Sequence, residues 1–365
     1  MRKITIGILV LVLLLATVLT ACGGTPAPAP TVTVTKPATA PAPMPTHEMV
    51  TVSQWASPFA TSTHVLTLGM EDLSKKFHPW LRLKSAETPG YVYNMNAHTS
   101  QPALWENTYV GAAAMNIYQG TIRQGPFESA PDRILGYRRL VSHNSQAIWL
   151  VSTDPSIKTT DDLVGKKIAL GTKAQSNVNA GPSFLLVDGL GLDPAQIQSI
   201  GHAGAMDALL DGLVDAAVTF AYSNPLIDEH VAGPTQVKLE ASGKTIYHIS
   251  FPQEAFDNAI AKGLPVPQLT VPAGILKDQN EEIRAFASVN GFYVKDVFSE
   301  DLAYEITKFW LEVGAEKLVE YHAFGKLVTP EGLAYAGTKS GLAGSVLHPG
   351  AVRAYEEAGI TIPDK

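Results

Sequence analysis

Asp161-Asp162-Leu163-Val164-Gly165-Lys166-Lys167-Ile168-Ala169-Leu170-Gly171 reads as a short helix, a glycine turn, a buried strand and a second glycine that opens a loop. A complementary passage follows in Asp207-Ala208-Leu209-Leu210-Asp211-Gly212-Leu213-Val214-Asp215-Ala216-Ala217-Val218-Thr219-Phe220. There an amphipathic helix stops at Gly212 and the chain passes at once into an apolar strand. The alternation continues outward in both directions. Strands are predicted over residues 50–55, 81–84, 134–141, 147–151 and 247–250, and helices over 63–77, 181–190, 281–291, 301–321 and 351–358. Strand-helix alternation of this kind predicts an α/β fold with largely parallel sheets flanked by helices. With 365 residues, 45% of them hydrophobic, the chain can bury a sizeable core, and its length suggests about two domains.

The loops that leave these strands carry the chemistry. Gln175, Ser176 and Asn177 precede a helix, where backbone N–H groups and small polar side chains make a site for a carboxylate or another anion. The same residues also suit ordinary helix capping. Tyr222 and Ser223 lie at the end of the second strand, and in open α/β sheets ligands bind outside the carboxyl ends of strands. They face a cleft or form a plain turn. Asp211 and Asp215 read as a cap and a surface charge, not as an acid/base pair.

The N-terminus has a different character. Arg2 and Lys3 precede an apolar or small-residue run over residues 4–21, the pattern of a secretory signal. The run Leu19-Thr20-Ala21-Cys22 resembles a bacterial lipobox, in which Cys22 is lipidated and becomes the mature N-terminus. Residues 22–48 hold that cysteine and a Pro/Ala/Thr-rich stretch with seven prolines, expected to be an extended tether. Loss of Arg2 and Lys3 leaves 25 basic against 34 acidic residues, so the exported part is acidic. The expected location is therefore extracytoplasmic, anchored to a membrane by lipid. An acidic balance disfavours a nucleic-acid partner.

Other chemistries lack their residues. One cysteine excludes an internal disulfide framework and any multi-thiolate metal site. The ten histidines show neither His-x-His nor His-Glu-x-x-His spacing, and there is no Gly-x-Ser-x-Gly elbow and no phosphate loop. No catalytic residue, metal or cofactor is expected, and His348 is read as a helix-entry packing residue.

The two passages quoted first resemble type II periplasmic binding proteins. Leu347-His348-Pro349-Gly350-Ala351-Val352-Arg353-Ala354-Tyr355-Glu356-Glu357-Ala358-Gly359-Ile360 is similar to the C-terminal signature of the TAXI group, the solute receptors of TRAP transporters, and Tyr304-Glu305-Ile306-Thr307-Lys308-Phe309-Trp310 resembles that group's preceding helix. The resemblance spans residues 51–360 and implies two α/β lobes joined by hinge strands, with a small anionic ligand between them. Lobe 1 is expected over 49–143 and 251–365, and lobe 2 over 144–250. The ligand would be an amino acid or dicarboxylate-like solute, passed to an ion-driven membrane permease. By position, Trp55, Ser57, Thr61, Ser62 and Asn116 would face the cleft, together with Gln175, Ser176, Asn177, Tyr222 and Ser223. The first loop departs from the group's glycine-rich pattern, and Gln175-Ser176-Asn177 stands where Ser-Gly-Thr is expected. A receptor of an ABC importer and, less readily, a secreted enzyme on the same scaffold share the lobe motifs.

Overall fold

The computed structural model describes residues 48–362 apart from 131, 225, 228 and 336–345. The signal segment, Cys22 and the Pro/Ala/Thr-rich stretch lie outside the described residues.

The first strands and helices follow the sequence pattern closely. β1 (Val50–Trp55) leads into α1 (Ser62–Phe77), which returns to β2 (Leu81–Ala86), parallel to β1. α2 (Tyr91–Thr99) then leads to β3 (Thr108–Ala113), parallel to β1 on its other side, and α3 (Ala114–Ile122) follows without a break. β4 (Tyr137–Ser152) is a single strand of 16 residues, where the sequence pattern suggested two shorter ones. Beyond it come β5 (Ile168–Leu170), α4 (Ser176–Ser183), β6 (Ile197–Ser199), α5 (His202–Leu210) and β7 (Ala216–Asn224). β6 and β7 both run parallel to β5. β8 (Glu229–Ala232), α6 (Pro234–Ala241), β9 (Tyr247–Ile249), α7 (Gln253–Ala261) and β10 (Gln268–Val271) complete this part of the chain. β11 (Ile283–Lys295) and α8 (Glu300–Phe309) follow, and the C-terminal helix is Pro349–Glu357.

The strands form one hydrogen-bonded path in the order β2-β1-β3-β11-β4-β7-β5-β6. Its centre is the antiparallel pair of β4 and β11, in register from Tyr137 opposite Lys295 to Ile148 opposite Phe286. β3 attaches to one end of β11, at Asn290–Tyr293, and β10 to the other, at Ile283–Phe286. β7 attaches to the far part of β4, Ser145–Val151. Two half-sheets thus share two long strands, and the chain crosses from one to the other along them. This is the two-lobed α/β architecture with strand hinges that the resemblance implies.

The crossing shows one correction. Residues 281–291 read as a helix by apolar spacing, yet β11 begins at Ile283 and is buried along nearly its whole length. A strand covered on both faces carries near-continuous apolar residues and loses its period of two, so it imitates a helix. α7 packs against residues 184–189, and β10 pairs with β11. The register shifts between Asn290 and Gly291 and again between Phe292 and Tyr293. A Cβ on Gly291 would stand 2.5 Å from the carbonyl oxygen of Val141, so the crossing needs glycine there.

The terminal signature closes the first half. His348 caps the C-terminal helix, its Nδ1 accepting from the Gly350 N–H at 3.3 Å, while its other ring nitrogen meets the Phe298 carbonyl at 3.1 Å. The packing role expected for His348 is the one observed. Tyr355 donates to the carbonyls of Leu140 and Leu333 at 2.9 and 2.8 Å, tying this helix to β4. Gly350 sits so close to α8 that a Cβ would lie 2.1 Å from the Glu300 carbonyl oxygen. Gly350→Ala is therefore expected to destabilise the protein by about 1–3 kcal/mol through overpacking. The ordinary effect of alanine for glycine in a helix has the opposite sign, at roughly 0.5–1 kcal/mol. A urea midpoint equal to or above the wild-type value would contradict this packing.

Candidate functional site

The carboxyl ends of the strands from both half-sheets meet at one cleft, where side-chain satisfaction and helix ends decide what can bind. The loop after β1 brings Ser57, Pro58 and Thr61 to its wall. Thr61 donates its hydroxyl to the Pro58 carbonyl at 2.7 Å, so the 2.5 Å contact between Ser57 and Thr61 leaves Ser57 as donor. Thr63 follows on α1, and Gly90 and Tyr91 come from the start of α2. Gly90 has φ 135°, a backbone conformation that favours glycine. On the opposite wall stand Ala174 to Val178, His202, Phe220 and Tyr222, and the two shared strands supply Gln146 and Asn290 at the base.

Direct bonds join the walls. The N–H of Ser62, at the start of α1, donates to the Tyr222 hydroxyl at 3.3 Å. Asn116 on α3 donates to Ser176 Oγ on α4 at 2.5 Å, and its own Oδ1 accepts from the Ala113 N–H at 2.9 Å. Gln175 Oε1 accepts from the N–H groups of Thr172 and His202 at 3.2 and 3.0 Å, bracing the loop against α5. The cleft is open to solvent and leaves about 70 Å³ of free space between these side chains.

The electrostatics are unusual in one respect. Among the described residues, no lysine, arginine, aspartate or glutamate lines the cleft. Burial pushes the His202 imidazole below its ordinary pKa and keeps it neutral near pH 7. The N-termini of α1, α2, α4 and α5 all open here, and none has its end closed by the side chain of its own N-cap residue. Each brings partial positive charge and backbone donors. Among the described lining residues, these helix ends are the source of positive character.

Six of the residues singled out in the sequence meet at the cleft: Ser57, Thr61, Gln175, Ser176, Asn177 and Tyr222. Asn116 and Ser62 stand one layer behind, each bonded to a lining residue. Two others point elsewhere. Side chains alternate along a strand, so with Tyr222 facing the cleft Ser223 faces away, bonded to His230 at 2.9 Å. Trp55 stacks on Tyr93 with ring centres 6.2 Å apart, and its body is used by α2. Thr63, Tyr91, Gln146, His202, Phe220 and Asn290 were not foreseen. Tyr91 and His202 begin helices after strand ends and could have been found by the same rule as Ser176. Gln146 and Asn290 could not, since one lay between two expected strands and the other in an expected helix.

Behind this wall lies His143, fully buried on β4, its Nε2 3.4 Å from Thr63 Oγ1, which in turn meets the Tyr91 hydroxyl at 2.5 Å. Burial pushes the His143 pKa down to about 3, and that of His98, which bonds to Tyr137, down to about 4.

A family model described as NMT1-like family matches residues 108–359, more than half of the chain. The chain belongs to the NMT1-like family. This family consists of periplasmic solute-binding proteins. Solved structures similar to the chain include the periplasmic binding protein BugD, with 13% identity, a TM-score of 0.47 and coverage of 86% of this chain and 99% of that one. MatC from Rhodopseudomonas palustris, with bound malate, has 12% identity and a TM-score of 0.46 over 76% of this chain and 88% of that one. A binding-protein component of an ABC phosphonate transporter from Pseudomonas aeruginosa has 11% identity and a TM-score of 0.45 over 76% and 79%. Among the described residues, no helix is long and apolar enough to cross a membrane.

The buried histidines make a prediction about stability. In the unfolded chain they bind protons near pH 6.5, and in the native state only near pH 3 and 4. Their contribution is complete above pH 6.5 and is lost as pH falls toward the native values, at about 1.4 kcal/mol per pH unit for each group. Urea unfolding of wild type at pH 7, 6 and 5 should show this slope. His143→Gln should remove one histidine's share between pH 6 and 5, and an unaltered slope would mean that His143 accepts a proton in the folded state.

Proposed function

We propose that the protein is an extracytoplasmic solute-binding protein that captures a small carboxylate-bearing solute between its two half-sheets and delivers it to a TRAP-type permease. The supporting observation is the convergence of four helix N-termini on a cleft that, among the described residues, holds no charged side chain. A carboxylate gains backbone N–H donors and favourable dipoles there and meets no acidic side chain. A cation would meet the positive ends of the helices with no carboxylate to offset them. The TAXI-like terminal signature supports a TRAP-type partner. The signal pattern and Cys22 support a lipid anchor on the outer side of the cytoplasmic membrane or in the periplasm.

Capture follows from the bonds between the walls. The Tyr222–Ser62 and Asn116–Ser176 contacts hold the walls together, and entry of a solute requires them to part. A ligand then stabilises the closed form by the amount that it binds that form better. Ser57, Thr61 and Ser176 supply hydroxyl groups, and Phe220 and Tyr222 cover the apolar part of the solute.

Thermal-shift screening of carboxylates is the test of this reading. A ligand at 100 times its dissociation constant adds about 2.7 kcal/mol to stability, enough to register as a raised melting temperature. For the best ligand, calorimetry should show Ser176→Ala and Asn116→Ala each weakening binding about fivefold or more. The serine loses a donor to the ligand, and the asparagine loses its hold on that serine. Unchanged affinity in both variants would remove this wall from the site.

A further inference from the structure

The side chain of Gln175 is held from one side only. Its Oε1 accepts from the backbone N–H groups of Thr172 and His202 at 3.2 and 3.0 Å, and this fixes how the amide is turned, because backbone nitrogens only donate. The amide nitrogen, Nε2, has no partner among the described residues and is not enclosed by protein. Gln175 itself is partly exposed and lines the cleft. Its neighbour Asn177 differs, with Oδ1 shut away from solvent. Asn177 Nδ2 donates to Asn290 Oδ1 at 3.2 Å and to Gln146 Oε1 at 3.3 Å. Asn290 in turn donates to Asn144 Oδ1 at 2.9 Å, and Asn144 to Ser62 Oγ at 2.9 Å. That chain of amides is spent within the protein, whereas Gln175 keeps its N–H donors for the cleft.

Gln175 is the N-cap residue of α4, and its oxygen binds the first N–H of α5, so one amide joins the positive ends of two helices. An amide that accepts at its oxygen donates more strongly at its nitrogen, so partial positive charge from α5 is passed on to Nε2. What this group can meet is an acceptor. A carboxylate oxygen fits. An ammonium group does not, since it would need the oxygen that Thr172 and His202 already hold. Among the described lining residues no aspartate or glutamate stands in for it.

We propose that Gln175 is the specificity-determining residue of the cleft: Nε2 donates to an anionic oxygen of the ligand, and the cleft takes carboxylates that carry no ammonium group over the matching α-amino acids. This inference rests on the reading of the cleft as a carboxylate site and narrows its ligand class. Gln175→Glu is the discriminating substitution. A glutamate keeps an oxygen for the Thr172 and His202 N–H groups, so the loop stays braced, and it replaces the N–H donors with a second, charged oxygen. The site then repels a carboxylate and offers an ammonium group its counter-charge.

Propionate and alanine, succinate and aspartate, glutarate and glutamate, and hydrocinnamate and phenylalanine are pairs that differ only by the ammonium group. Calorimetry with the wild-type protein should show the amino-free acid of the best-bound pair at least about tenfold tighter than its partner. Gln175→Glu should move that ratio toward the amino acid by at least about tenfold, a change that a merely structural role for Gln175 would not produce. Gln175→Leu, which removes the donor without adding a charge, should bring the ratio part of the way toward one. The ratio is internal to each protein and survives any overall loss of affinity. An amino acid bound by the wild type as tightly as its amino-free partner overturns the inference while the carboxylate reading stands. A ratio unchanged in both variants removes Gln175 from the role. If none of these acids binds even at millimolar concentration, the carboxylate reading falls and the inference falls with it.

Discussion

The antiparallel pairing of β4 with β11 is the interaction on which the rest of the molecule depends. Both strands are buried for nearly their whole length; β11 pairs with β3 at one end and β10 at the other, while β4 pairs with β7 and β9 along its second half and bridges to Leu347 at Arg139. A buried strand must satisfy every backbone N–H and C=O laterally. Neither strand can therefore be shortened or shifted in register without stranding polar groups in both halves at once. The same two strands place Gln146 and Asn290 at the base of the cleft. The scaffold and the base of the cleft are thus set by one pairing.

The middle of that pairing is polar. Ser142, His143, Asn144, Ser145 and Gln146 are all buried in β4, opposite Ser288, Asn290 and Gly291. In a strand interior such a run interrupts apolar packing, and its cost is offset only where the side chains bond to one another. The amide chain from Ser62 to Asn177 does this. This polar run lies where the two half-sheets would have to bend against each other. Gly291 and the register shifts lie at the same level. A polar, irregular crossing between two apolar halves gives a site for hinge motion without loosening either core.

The outer parts of the fold were legible from local pattern. Leu163 to Gly171 and Ala208 to Phe220 form a buried strand, or a helix followed by one, almost as their spacing suggests, because each is covered on defined faces by its own half. The shared strands were not legible for the same physical reason that makes them central. Burial on two faces erases the period of two, and the polar run in β4 looks like a loop when its lateral partners lie some hundred or more residues away, as Asn290 does from Asn144. In the site, rules based on strand ends and helix starts found Ser176, Asn177 and Tyr222. Strand alternation separated Tyr222 from Ser223, and only a fixed register can decide which of two adjacent residues faces the cleft.

A receptor has to release what it captures, and this bears on why the cleft is positive through helix ends and not through arginine. A bidentate arginine–carboxylate pair in a closed, water-poor cleft adds affinity that must be overcome again at delivery, and the arginine left behind is a buried charge without a partner. Helix dipoles give a weaker field, about 0.3–1 kcal/mol at each end, shared among several helices. When the walls part, water reaches the exposed N–H groups and takes the place of the ligand at little cost. Opening the cleft would therefore weaken every one of these interactions together, since the helices whose ends would meet a carboxylate belong to different half-sheets: α1 and α2 to one, α4 and α5 to the other. Affinity is then a property of closure itself, and a partner that holds the halves apart releases the solute without competing for it.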